Sequence, residues 1–218
     1  MSDRLLYVFA TLMFVSLSVT PMQAGAIVYT SDASFLSAAG GGLTFEGFET
    51  AVLGTSTSVT FAGGTFACAG SSYCPSFFGI SGDFADTGSQ SVYFATPDTA
   101  TFTFDSAITA FGAAIGGAGD VGAITLLADL SNGDSVNALT AYTGPGVVFG
   151  DNRQFFGVID TVPFTSITFT GSNSGDGVFF DTMYYGTAAP TGIPEPSSFL
   201  LAGIGLAGAG LWRRYKVK

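Results

Sequence analysis

The chain has 218 residues, 31 of them Gly and 22 Phe, with 47% apolar and 10% charged residues. That is enough apolar mass for one core, in a turn-rich composition that favours short strands over helices. Between Ile27 and Ile193 fourteen Asp/Glu face a single basic residue, Arg153, which excludes a nucleic-acid-binding surface; the absence of His, and of Lys before Lys216, excludes Ser-His-Asp, Cys-His and Schiff-base lysine chemistry.

At the N-terminus Arg4 precedes an apolar run from Leu5 to Phe14, Pro21 breaks it, and Ala24-Gly25-Ala26 supplies small residues. Residues 1–26 therefore read as a secretory signal peptide cut after Ala26, with signal peptidase as partner; an uncleaved anchor is the alternative. Next, SDASFLSAAGG predicts a short helix capped by Ser31, carrying Phe35 and Leu36, and ended by glycines.

From Leu43 onward the signals are for strands. LTFEGFE alternates apolar and polar residues, and SVTFAGGTFAC predicts two strands across a Gly63-Gly64 turn. QSVYFAT, TATFTFD and SITFTG show a period of two, as at Phe102 and Phe104 or Ile167 and Phe169. AITLLADLSNGDSVNALTAY is a hairpin around Asn132-Gly133, followed by the strands FFGVID and GVFFDTMYYG. About eleven short strands predict an all-β ectodomain over residues 27–186, an antiparallel β-sandwich of jelly-roll-like type, with a closed barrel as runner-up. Residues 187–193, TAAPTGI, read as a tether.

Little chemistry is legible in this body. Cys68 and Cys74 are separated by five residues in a Gly/Ser-rich stretch, spacing that suits a local disulfide in an exported protein, with buried free thiols as the alternative. GGAGDVG, around Gly116 to Gly122, lacks a Walker lysine and reads as a turn. Asp83 and Asp86 in SGDFADTG are the nearest approach to a carboxylate pair of the kind a glycan hydrolase needs. No motif demands a cofactor. A structural Ca²⁺ held by Glu46 and Asp181 is the metal candidate, provided the first and last strands pair. Tyr73, Tyr93 and Tyr142 are candidates for stacking on sugar rings.

The tail carries the strongest signal. Pro194-Glu195-Pro196 keeps an extended, accessible segment ahead of an uncharged run, Ser197 to Trp212, closed by Arg213, Arg214, Lys216 and Lys218. A helix of this length reaches about 24 Å, short of the roughly 30 Å hydrocarbon core. The basic end holds the C-terminus on the cytoplasmic side. This order of parts, over residues 194–218, resembles the PEP-CTERM sorting signal of Gram-negative bacteria. The resemblance implies a short transmembrane helix over Phe199 to Trp212, recognition by an exosortase at Pro194, Glu195 and Pro196, removal of the tail, and delivery to the cell surface or exopolysaccharide matrix. The body also resembles other PEP-CTERM ectodomains at Phe45-Glu46-Gly47-Phe48 and in the closing FDTMYYG, residues 180–186. The expected function is that of a non-enzymatic surface or matrix protein associated with exopolysaccharide and biofilm, inner-membrane anchored before processing. The alternative is a secreted hydrolase using two carboxylates.

Overall fold

The chain alternates apolar and polar residues over long stretches, and a strand with this pattern must bury one face. The computed structural model describes residues 25–144 and 153–189, and in it the alternating segments become twelve antiparallel strands and one helix. In chain order they are β1 (Ile27–Tyr29), α1 (Asp32–Ala39), β2 (Thr44–Glu46), β3 (Gly54–Thr55), β4 (Ser58–Phe61), β5 (Gly64–Ala69), β6 (Gly79–Ser81), β7 (Ser91–Ala95), β8 (Thr99–Gly116), β9 (Ile124–Leu130), β10 (Ser135–Tyr142), β11 (Gln154–Gly171) and β12 (Gly177–Gly186).

Two 18-residue strands, β8 and β11, organise the rest. Each runs through one layer, turns a corner, and returns through the other. The first half of β8 pairs with β5 and with the second half of β11, in a half-sheet ordered β10-β9-β11-β8-β5-β4. The second half of β8 pairs with the first half of β11 and with β12, in a half-sheet ordered β1-β11-β8-β12-β7-β6-β3. The corners fall where the register breaks, between Ile159 and Phe164 on β11 and opposite them on β8. Pro163 lies at this break, where a strand tolerates a missing N–H. The Asn132 side chain of the β9–β10 turn donates to Asp160 Oδ2 and to the Val162 carbonyl, both at 2.8 Å, tying that turn to the corner.

The expected β-sandwich is therefore present, but two of its twelve strands are much longer than periodicity indicates. FFGVID and SITFTG are two halves of β11, and TATFTFD opens β8, which continues through an apolar stretch to Gly116. Three short pairings, β1, β3 and β6, were not expected, because two or three residues carry no measurable period. The first predicted hairpin turns at Ala62-Gly63 rather than Gly63-Gly64, since Phe61 pairs with Gly64.

Phenylalanine fills the space between the layers. Of eleven Phe side chains that are almost completely buried, ten lie in this core and Phe35 lies outside it. Phe66 and Phe102 stack at 4.2 Å between ring centroids, and Phe169 lies 4.7 Å from Phe180 of the opposite layer. Stacked and tilted ring contacts of this kind add to simple area burial.

Helix α1 packs on the outside of the second layer. Phe35 is fully buried over Gly112 and Gly157, where an added Cβ would come within 2.8 and 2.6 Å of its ring. These strand glycines make room for the helix. Ser31 occupies the N-cap position with extended backbone, but its side chain makes no capping bond, contrary to the expectation. Asp32 Oδ1 accepts the Ala33 N–H at 2.8 Å instead. Gly40 ends the helix in the left-handed region, as the glycine run indicates.

Candidate functional site

The outer face of the second layer is covered at one end by α1 and at the other by the 83–89 loop between β6 and β7. Between these covers lies a cleft of about 80 Å³, lined by Phe84, Ala85, Asp86, Ala114, Ile115, Gly116 and Arg153. Gly116 is a necessity: a Cβ there would lie 2.9 Å from Phe84 Cβ. Two residues beside the cleft hold left-handed backbone without being glycine, Phe84 (φ 54°) and Thr182 (φ 49°). Thr182 is β-branched and sits where β12 changes register between Asp181 and Tyr184. Such conformations are costly and concentrate at functional sites.

The bulge aims Asp181 at the loop. Its Oδ2 accepts the N–H groups of Asp86 and Thr87, at 2.6 and 2.8 Å, while Oδ1 is buried with no hydrogen-bond partner. Burial pushes this carboxyl above the ordinary aspartate range, and the loop N–H groups only partly offset it. Asp86 is the complementary group. Its Oδ2 accepts the Thr182 hydroxyl at 2.6 Å, and its Oδ1 pairs with Arg153 Nε at 2.8 Å. The same guanidinium reaches Asp32 Oδ2 on α1 at 3.4 Å. The sole Arg between residues 27 and 193 thus spans the cleft and joins its two covers.

An aromatic row continues from the cleft along the sheet. Phe84 lies 4.7 Å from Phe179, and Phe179 stacks on Tyr93 of the neighbouring strand at 5.3 Å, with ring planes 20° apart. All three rings are half-buried. Burial, with Asp83 nearby, raises the Tyr93 phenol above its ordinary value.

The other sequence candidates fall as follows. Asp83 lies in an exposed turn, its carboxylate accepting the Ser81 hydroxyl at 3.1 Å. Tyr73 packs edge-on against Phe77 at 5.6 Å, and Tyr142 accepts from Gln154 Nε2 at 3.5 Å. Strands β2 and β12 do pair, with Glu46 opposite Met183. Yet Glu46 accepts the Phe48 N–H at 2.7 Å, while Asp181 serves the 83–89 loop. The two carboxylates hold different segments, and no cluster of three His, Cys, Asp or Glu suited to a metal occurs among the described residues. Cys68 and Cys74 form a disulfide, with Cα atoms 6.1 Å apart. Ala26 donates its N–H to Asp134 Oδ2 at 3.1 Å. Ala24, Pro194, Glu195, Pro196, the helix expected over 199–212, and Arg213, Arg214 and Lys216 lie outside the described residues. No helix among the described residues is long and apolar enough to cross a membrane.

Sequence reasoning missed Arg153 and the role of Asp181 toward the loop. A lone Arg in an acidic body is a signal in itself, but its partners, Asp32 and Asp86, are remote in the chain.

Residues 192–214 match the PEP-CTERM protein-sorting motif. Among solved structures, the chain is similar to the CBM22-1 xylan-binding domain from Paenibacillus barcinonensis Xyn10C, with 12% identity over 68% of this chain and 97% of that domain and a TM-score of 0.42. It is also similar to TmCBM61, determined in complex with β-1,4-galactotriose, with 14% identity over 64% of this chain and 92% of that one and a TM-score of 0.34. A family 29 carbohydrate-binding module gives 12% identity, 71% and 95% coverage, and a TM-score of 0.33. No curated protein sequence matches the chain.

Proposed function

On the premise of the PEP-CTERM sorting motif at residues 192–214, we propose that this chain is an exported, exosortase-sorted surface protein whose body is a non-enzymatic glycan-binding module of the exopolysaccharide matrix. Signal peptidase removes residues 1–26, the 199–212 helix holds the body at the inner membrane, and an exosortase acts at Pro194-Glu195-Pro196. The tail supports this reading through its order of parts: an extended handle, a hydrophobic run slightly short for the bilayer, and a basic stop.

The cleft on the second layer carries the binding half of the proposal. The aromatic row Phe84-Phe179-Tyr93 offers apolar surface for a sugar ring, and the Arg153–Asp86 pair offers directional hydrogen bonding beside it. The carboxylates argue for binding over hydrolysis. Asp181, the one with a raised pKa, is 1% exposed and cannot reach a substrate, and Asp86 already holds Arg153 and Thr182.

The test has two readouts. Intact mass of protein recovered from the cell exterior is expected to lack the basic tail; retention of Trp212 and the residues after it overturns the sorting reading. Exopolysaccharide pull-down is expected to weaken about tenfold in Arg153→Ala and in Tyr93→Ala. New reducing ends released by the wild-type chain would instead favour the hydrolase.

A further inference from the structure

The outer face of the first layer differs in kind from the cleft. Along β8 the outward residues are Thr99, Thr101 and Thr103, while Ala100, Phe102 and Phe104 point into the core. On β11 the outward residues Ser166, Thr168 and Thr170 alternate in the same way with Ile167 and Phe169. The register aligns these strands into ranks. Thr60, Thr65, Thr103 and Ser166 stand side by side across four strands. In the next rank Thr101 pairs with Thr168, flanked by Ala67 and Asp129, and Thr99 pairs with Thr170 beyond. All of these residues are exposed or half-exposed. Among the described acidic residues Asp129 alone enters the ranks, at their margin, where it accepts the Ser135 hydroxyl at 2.6 Å.

We propose that this threonine face is a second binding surface, for an extended, uncharged polysaccharide chain lying across the strands. The proposal rests on the glycan-binding reading above and assigns it a further surface and a ligand class. Three physical features favour this occupant. Each hydroxyl both donates and accepts, as do the hydroxyls of a neutral sugar, and the Thr101–Thr168 pair, bonded at 2.9 Å, still has one donor and several acceptor positions free. Along a rank the hydroxyls repeat at the strand spacing, about 4.8 Å, a step comparable to one pyranose unit of an extended chain. The body's net charge, fourteen acidic groups against one Arg, repels polyanions, and this face bears no cation to bridge them. A planar crystalline partner fits poorly, because adjacent strands rotate by roughly 20–25°, whereas a single flexible chain can follow the twist.

Affinity gel electrophoresis of the detergent-solubilised full-length chain tests this, with galactomannan and mixed-linkage β-glucan as neutral probes and alginate as the acidic control. The triple variant Thr101→Val, Thr103→Val, Thr168→Val keeps the β-branched shape and removes the hydroxyls. Thr101→Glu places a charge in the middle rank. Both are expected to bind a neutral probe about tenfold more weakly than wild type at unchanged melting temperature, while the surface control Val121→Ser, outside both the face and the cleft, is retarded like wild type. Wild-type retardation of both threonine variants overturns the face, and if Arg153→Ala then loses binding, the glycan reading survives at the cleft alone. Stronger retardation by alginate than by either neutral probe overturns the ligand class. No retardation of the wild-type chain by any probe overturns the face and the glycan reading together.

Discussion

Asp98 and Asp181 both hold a loop by its backbone N–H groups, but they differ in depth of burial and in how many donors reach them. At Asp98, Oδ1 accepts the Ser72 N–H at 3.2 Å, and Oδ2 accepts those of Tyr73 and Cys74 at 2.7 and 2.6 Å. Burial alone would raise this carboxyl, but the converging N–H groups hold it below the ordinary aspartate value. The disulfide closes the same loop from its other side. At Asp181, more deeply buried, Oδ2 accepts two loop N–H groups and Oδ1 has no hydrogen-bond partner, so burial prevails over the backbone donors and the carboxyl is raised. A carboxylate satisfied on both oxygens is a staple. One satisfied on a single oxygen, beside two strained residues and an ion pair that spans a cleft, marks the place where the fold accepts a local cost.

The largest expected effect tests the staple. Asp98→Ala removes the acceptor of three part-buried backbone N–H groups and should destabilise the chain by about 3 kcal/mol in urea unfolding. A change within a few tenths would place Asp98 on the same footing as an ordinary surface carboxylate. Breaking the disulfide with Cys68→Ser and Cys74→Ser comes next. The closed loop is short, so the loss should be about 2 kcal/mol, and smaller again when Asp98 is already Ala, because both restrain the same loop.

The third prediction uses the opposite pKa directions. Asp98 is lowered, so its contribution is present above the ordinary value of 3.8 and is lost as pH falls through its folded pKa. Asp181 is raised, so the folded state binds more protons than the unfolded state. Its contribution is present below 3.8 and is lost as pH rises through its folded pKa. Asp181→Asn keeps an acceptor for the loop and removes the buried charge. The variant should melt no lower than wild type at about pH 8 and lose the Asp181 part of the pH dependence. A wild-type pH profile in this variant would show that Asp181 is not the group in question.

Much of the fold was legible because strand alternation is a local property. Phe102 and Phe104 face inward for the reason that Thr101 and Thr103 face outward, and Asn132-Gly133 and Gly40 stop their elements by backbone chemistry alone. The corners of β8 and β11 were hidden. Alternation marks only the first half of β8 and the second half of β11; their other halves, Ala110–Gly116 and Phe155–Val158, are buried on both faces and read as plain apolar runs, so no change of period marks the bend. The cleft was less legible still. Asp83 and Asp86 drew notice by being neighbours, yet the partners of Asp86 are Arg153 and Thr182, brought in by sheet pairing.

By itself the sequence determined the β-rich class, the solvent-facing threonines, the acidic charge and the sorting signal, because composition and short-period pattern act within a few residues. Only the tertiary structure decided which threonines stand in one rank, that Arg153 joins α1 to the 83–89 loop, and that Asp98 is satisfied while Asp181 is not. Those outcomes depend on register and on bulges, which arise when segments distant in the chain compete for the same backbone hydrogen bonds.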